Sequence, residues 1–215
     1  PSPPPPPPST TTTTAAPAGC AEPGLPTTVA YRTVPPFPVD LTSVDVHAPA
    51  GACHAPVVVW VHGGGYHTGD KAQNMASKVR WANAHGWILV SVNYRLTHVF
   101  APDGPTSAQF PEHYEDTAAA IGWVHDTIGR YGGDPERMAV LGHSAGADIV
   151  SNVVVNPTYL AGVGMAPSDL ACFGPLDTEG FDKPAAGADD PDGENLQWSS
   201  SLGNNPSYLT ETSAS

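Results

Sequence analysis

The segment Gly142-His143-Ser144-Ala145-Gly146 sets a serine between two glycines. It follows the apolar run Met138-Ala139-Val140-Leu141 directly and precedes Ala145 to Val155, which reads as a helix. A serine hydroxyl is a weak nucleophile unless a base takes its proton and the backbone presents it clear of its neighbours. A sharp strand-to-helix turn achieves the presentation. Glycines flank such a turn because side chains there would collide with the strand and the helix. The start of the helix then offers unpaired N–H groups and the positive end of its dipole. An inert Gly/Ser turn is the alternative, and the strand–turn–helix context weighs against it. Ser144 is therefore the candidate nucleophile.

A second cluster, His62-Gly63-Gly64-Gly65-Tyr66, follows the run Val57-Val58-Val59-Trp60-Val61. Acyl transfer passes through a tetrahedral oxyanion, which needs fixed N–H donors. A glycine run can aim backbone N–H groups inward with no side chain in the way. Gly64 and Gly65, with Ala145 from the serine turn, are the candidate donors, and Tyr66 is the alternative one position on. Glycine runs also form flexible loops and phosphate cradles, but no Gly-Lys-Ser/Thr follows here. His62 reads as orienting the loop rather than acting as a base. His143, adjacent to Ser144 on an extended backbone, points away from it. Both, with Tyr66, are candidates to line the site.

The elements that must hold these residues alternate along the chain. Thr42 to His47 alternates polar and apolar, as a half-exposed strand does. Val57–Val61 and Trp87–Val92 are continuous apolar runs suited to buried parallel strands. A helix is expected over 71–85, stopped at Gly86, and a long one over 112–131, where Ala118, Ile121, Val124 and Ile128 recur at helical spacing. Met138–Leu141 and Leu170–Phe173 are the remaining strands. Such alternation predicts a mainly parallel sheet with helices on both faces.

His62-Gly-Gly-Gly-Tyr66, Asn93-Tyr94-Arg95-Leu96, Trp123-Val124, Gly132-Gly-Asp-Pro135 and Gly142-His-Ser-Ala-Gly146 together resemble, in order and spacing, the carboxylesterases of the α/β-hydrolase fold. The chain looks most like hormone-sensitive-lipase-like, arylformamidase-like and bacterial feruloyl or acetyl-xylan esterases over about residues 40–180. The resemblance implies a three-layer α/β-hydrolase sandwich lacking its C-terminal strands. It also implies a nucleophile, an acid and a histidine in that chain order. None of the nine histidines follows Ser144. The acid and histidine are therefore expected beyond residue 215. Alternatives are a triad rebuilt on an upstream histidine, with His67 and His98 in bordering loops, and a non-catalytic hydrolase-like surface module. Asp177 and Glu179 could shape a substrate pocket but read better as loop carboxylates. Asp134 is expected to hold its own turn, and Asp148 to lie at the surface or against a loop.

Composition narrows the partners. Eight Lys+Arg against 21 Asp+Glu give a net charge of −13, which argues against nucleic acid and anionic membranes. No apolar run approaches the roughly 20 residues needed to span a bilayer. The partner expected is a small-molecule or polymer-borne ester. No metal-ligand spacing and no cofactor fingerprint occurs, so neither metal nor cofactor is expected. Residues 1–27 read as a Pro/Thr-rich linker and 28–215 as an incomplete hydrolase domain, with the boundary near 20–28. Such a stalk suggests a secreted or surface-anchored protein, and a first residue of Pro1 rather than Met reads as a start that is removed or not included. Cys20 and Cys53 are a candidate disulfide pair, with three unpaired cysteines as the alternative.

Overall fold

The computed structural model describes residues 17–98 and 100–178. Six strands form one sheet in the order β1-β2-β4-β3-β5-β6. They are β1 (Thr28–Ala30), β2 (Ser43–His47), β3 (Ala55–Val61), β4 (Ile88–Val92), β5 (Gly133–His143) and β6 (Cys172–Leu176). The pairs β4–β3, β3–β5 and β5–β6 are parallel, while β1 and β2 add antiparallel at one edge. This is the mainly parallel sheet expected from the alternation of elements.

Alternate side chains of the central strands go to opposite faces. Val57, Val59 and Val61 of β3, with Ile88, Val90 and Val92 of β4 and Met138 and Val140 of β5, form the main core. They pack with Tyr114, Ile121 and Val124 of α2 (Glu112–Thr127) and Ile149, Val150 and Val153 of α3 (Ala145–Val155). Val58 and Leu89 point the other way, onto Met75 and onto Ala82 of the helix that follows it, α1 (Ala76–Ala84). Each such side chain contributes about 1.5–3 kcal/mol of burial, so the continuous apolar runs fix β3 and β4 at the centre.

Several boundaries differ from expectation. The helix expected from residue 71 begins at Ala76: the Asp70 carboxylate accepts the Ala72 N–H, and Asn74 has φ +56°, so 70–75 is a run of turns. The α2 helix tightens into a 3-10 turn at Ile128–Tyr131 and is stopped by Gly132 at φ +81°. At Gly132 a Cβ would lie 2.1 Å from the Ala52 carbonyl oxygen. Asp134 does hold its own turn, accepting the Glu136 N–H. The last strand starts two residues late because Pro167–Asp169 forms a 3-10 turn and Leu170 is buried as an anchor. A short helix, α4 (Pro157–Ala161), is capped by the Asn156 side chain.

The domain's contacts start before residue 28. Cys20 and Cys53 form a disulfide, and Ala21 N–H donates to Ala52 O. Leu25 packs on the main core, and Tyr131 donates to Pro26 O. Composition had placed this stretch with the linker because it offers few apolar residues; the disulfide supplies what burial does not. Residues 1–16, the region from 179 onward and hence Glu179 lie outside the described residues.

Candidate active site

Ser144 stands between β5 and α3 with φ 52° and ψ −122°, a conformation that L side chains rarely adopt. Its neighbours leave no alternative. A Cβ on Gly142 would lie 2.1 Å from Gly146 O, and one on Gly146 would lie 2.4 Å from Val61 O. The Ser144 N–H donates to Leu176 O of β6, and its carbonyl accepts from Ala147 and Asp148 N–H in the first turn of α3. A peptide's N–H points opposite to its carbonyl. The Ala145 N–H therefore points out of the helix N-terminus.

The glycine loop packs directly on this turn. A Cβ on Gly63 would lie 2.9 Å from Ser144 Cβ and 2.7 Å from His143 O, so only glycine fits. The same peptide argument orients the loop amides. Gly63 O accepts from His62 Nδ1 at 2.8 Å, which turns the Gly64 N–H the other way. Gly64 O accepts from the His67 and Thr68 N–H groups, which does the same for Gly65. His62 is buried, stacked 4.4 Å from the Tyr94 ring, and Tyr94 donates to His62 O. Because a carbonyl only accepts, Nδ1 must carry the ring proton. Burial holds the His62 pKa below the ordinary histidine value, although the Gly63 carbonyl opposes this. The His62 ring thus lies in hydrogen-bond contact with the glycine loop it was expected to orient.

The other candidates divide. Tyr66 has φ +67° and its side chain is buried, with its hydroxyl on Asp148 rather than in an open site. The bulk of its ring is what the core needs beneath the loop. His143 is half exposed, with Nε2 3.6 Å from Asp177 Oδ2, and Asp177 is largely exposed. A cleft of about 480 Å³ lined by Trp60, His62, Gly63, Gly64, Thr68 and His143, among others, opens beside the loop. His67 Nδ1 lies 3.1 Å from Thr97 O, and His98 is exposed.

Two ionic groups are buried, and of these Asp148, expected at the surface or against a loop, does meet the glycine loop through Tyr66. Asp148 is buried on α3, and Arg95 is buried against Asp116, to which its Nε donates at 2.8 Å. Arg95 also pairs with Glu112, and Asp116 with Arg32. This network ties the segment after β4 to α2, and the Asn93-Tyr94-Arg95 motif was its only visible trace.

Residues 1–162 match the model of the carboxylesterase family. The chain belongs to that family. Among its relatives, the para-nitrobenzyl esterase of Bacillus subtilis (strain 168) is 31% identical over 149 residues, 64% of this chain and 29% of that protein. Gut esterase 1 of Caenorhabditis elegans is 34% identical over 60% of this chain and 24% of its own length. The acylcarnitine hydrolase of Mus musculus is 34% identical over 63% and 25%. The chain thus spans less than a third of the length of these relatives. Esterase B from Lactobacillus rhamnosis, solved with an inhibitor, superposes with a TM-score of 0.63 at 18% identity, over 87% of this chain and 59% of that one. That likeness carries the fold, which is the α/β-hydrolase fold.

Proposed function

We propose that the protein to which this chain belongs hydrolyses carboxylic esters through an acyl-enzyme on Ser144. The observation that carries the reading is the forced backbone of Ser144, which lies in a sparsely populated region between two glycines with no room for a Cβ. Such strain persists only where its surroundings over-determine it, and it concentrates at functional sites. Ser144 Oγ attacks the acyl carbonyl and the alcohol leaves with a proton; water then releases the acid. The N–H groups of Gly64, Gly65 and Ala145 hold the oxyanion. The histidine and carboxylate that complete the triad come from sequence beyond residue 215, since no histidine follows Ser144 within it.

The substrate class is a small-molecule or polymer-borne carboxylic ester. The Cys20–Cys53 disulfide and the Pro/Thr-rich start support a secreted or surface-tethered setting, because disulfides persist in oxidising compartments. A fluorophosphonate probe tests the assignment on the natural protein. It is expected to label Ser144 and to stop hydrolysis of p-nitrophenyl acetate, and Ser144→Ala is expected to abolish both. Absence of labelling would favour a non-catalytic module. The 215-residue chain alone is expected to turn over little ester. Turnover lost on substitution of His67, His98 or His143 would instead put the base upstream.

A further inference from the structure

Asp148 is a buried carboxylate in α3, a helix that is buried at every position from Ala145 to Val154. Burying a carboxylate there is unfavourable unless its oxygens are satisfied, and an apolar residue would fill the space more readily. Its oxygens are satisfied in a particular way. Oδ2 accepts from the Tyr66 hydroxyl at 2.7 Å and from the Tyr114 hydroxyl at 2.8 Å. Oδ1 accepts from Asn152 Nδ2 at 3.1 Å. The backbone N–H of the same residue donates to Ser144 O at 3.1 Å. One residue thus touches the nucleophile turn with its backbone and the glycine loop with its side chain.

We propose that Asp148 is a positioning residue, which holds the Gly64 and Gly65 amides in register with Ser144 through the Tyr66 hydroxyl. The inference rests on the esterase reading above. Tyr66 directly follows Gly65, so a rotation at Tyr66 carries the Gly65–Tyr66 peptide with it and displaces Gly65, whose own N–H lies in the peptide before. Its φ of +67° is one that a bulky residue leaves unless restrained. Among the described residues, its carbonyl accepts from the Thr97 N–H, its buried ring packs 5.3 Å from that of His113, and its hydroxyl reaches Asp148. Burial, then the Asp148 charge, push the Tyr66 hydroxyl's pKa well above the ordinary tyrosine value, so it remains a donor throughout the neutral range. A hydrogen bond to a carboxylate is short and directional, which suits a group that must fix a backbone within a few tenths of an ångström.

Tyr66 and Tyr114 donate to the same oxygen and are equally buried, but only Tyr66 belongs to the loop. That symmetry supplies the control. In the natural protein, Tyr66→Phe is expected to lower kcat for p-nitrophenyl acetate at least tenfold with KM within about twofold. Tyr114→Phe is expected to leave kcat within about threefold. In the 215-residue chain, hydrogen exchange of the Gly65 and Tyr66 amides is expected to quicken at least tenfold in Tyr66→Phe relative to Tyr114→Phe. Equal kcat losses in the two variants, or unchanged exchange in the loop, would overturn the proposal. Should Tyr66→Phe fail to fold, Asp148→Asn is read by the same exchange measurement. Turnover retained in Ser144→Ala would bring down the esterase reading itself, whereas the exchange result decides separately whether Asp148 holds the loop.

Discussion

Gly146→Ala probes how tightly the Ser144 turn is built. The added Cβ would sit 2.4 Å from Val61 O and 2.5 Å from His62 O, where ordinary contact needs 3.4 Å or more. Both obstacles are backbone atoms at the end of β3, so no side-chain rotation relieves them. About 1 Å must open between α3 and the glycine loop. Overpacking a filled site costs about 1–3 kcal/mol, and a contact against backbone on both atoms belongs in the upper half of that range. For a domain of this size each kcal/mol moves Tm by about 2–4 °C, so Tm is expected to fall by about 4–12 °C. The same displacement moves the loop relative to Ser144, and misplacement of about 1 Å costs on the order of 100-fold in rate. Gly129→Ala is the control: its Cβ meets open space and its φ is not positive, so a change within about 0.5 kcal/mol is expected. Thermal melting followed by circular dichroism reads the first effect, and hydrolysis by the natural protein reads the second. A Gly146→Ala melt within about 1 °C of the parent, or an equal fall in Gly129→Ala, would refute the packing argument.

Two further outcomes follow from features away from the turn. Reduction of Cys20–Cys53, which closes a loop with a sequence separation of 33, is expected to cost about 3–4 kcal/mol and lower Tm by about 6–16 °C; a melt insensitive to dithiothreitol would contradict this. Burial, helped by the Arg95 charge, pushes the His113 pKa down to about 3 from 6.5. The folded state therefore binds fewer protons than the unfolded chain below pH 6.5, so stability is whole above that value and falls as pH drops towards 3. Burial also lowers the His62 and His47 pKa values, which adds the same sign. Between pH 6 and 4.5, above most carboxylates, His113 alone is expected to contribute a slope of up to about 1.4 kcal/mol per pH unit, and His113→Gln is expected to flatten the measured dependence by about one proton. An unchanged slope in that variant would count against a neutral buried His113.

The parts of the molecule legible in the sequence are those whose cause is local. Val57–Val61 and Ile88–Val92 read as central strands because burial on both faces demands unbroken apolar runs. The serine turn was legible because glycine at positions 142 and 146 and serine at 144 are all set within five residues. What could not be read depends on partners far along the chain. Asp148 lies 82 residues from Tyr66 and 34 from Tyr114, and nothing in its immediate sequence separates a buried acceptor from a surface carboxylate. The start of α1 was misplaced because Lys71-Ala72-Gln73 has good helical composition. Lys71 instead turns its ammonium inward onto Asp40, while Asn74 breaks the path at positive φ. β1 is three residues long, and only its pairing with Ser43–Asp45 makes it a strand.

The strained turn also bears on how a catalytic base could join it. A serine held at positive φ costs about 1–3 kcal/mol, and the restraint must come from the surrounding fold. Among the described residues the restraints lie within 61–176: Leu176 O on the Ser144 N–H, the first turn of α3 on its carbonyl, and the backbones of β3 and α3 against the two glycines. The glycine loop is likewise fixed by His62, Tyr94 and Asp148, without any contribution from a triad histidine. On the proposed reading, Ser144 and the Gly64, Gly65 and Ala145 amides are thus organised before a base arrives, and the half-exposed His143 and the cleft beside Gly63 and Gly64 leave the turn approachable from that side. A histidine and carboxylate supplied from elsewhere in the protein would need to bring only their own positions, not to reshape the turn. Catalysis by preorganised donors requires this order, since groups that had to rearrange on each turnover would give back in reorganisation what they contribute to the transition state.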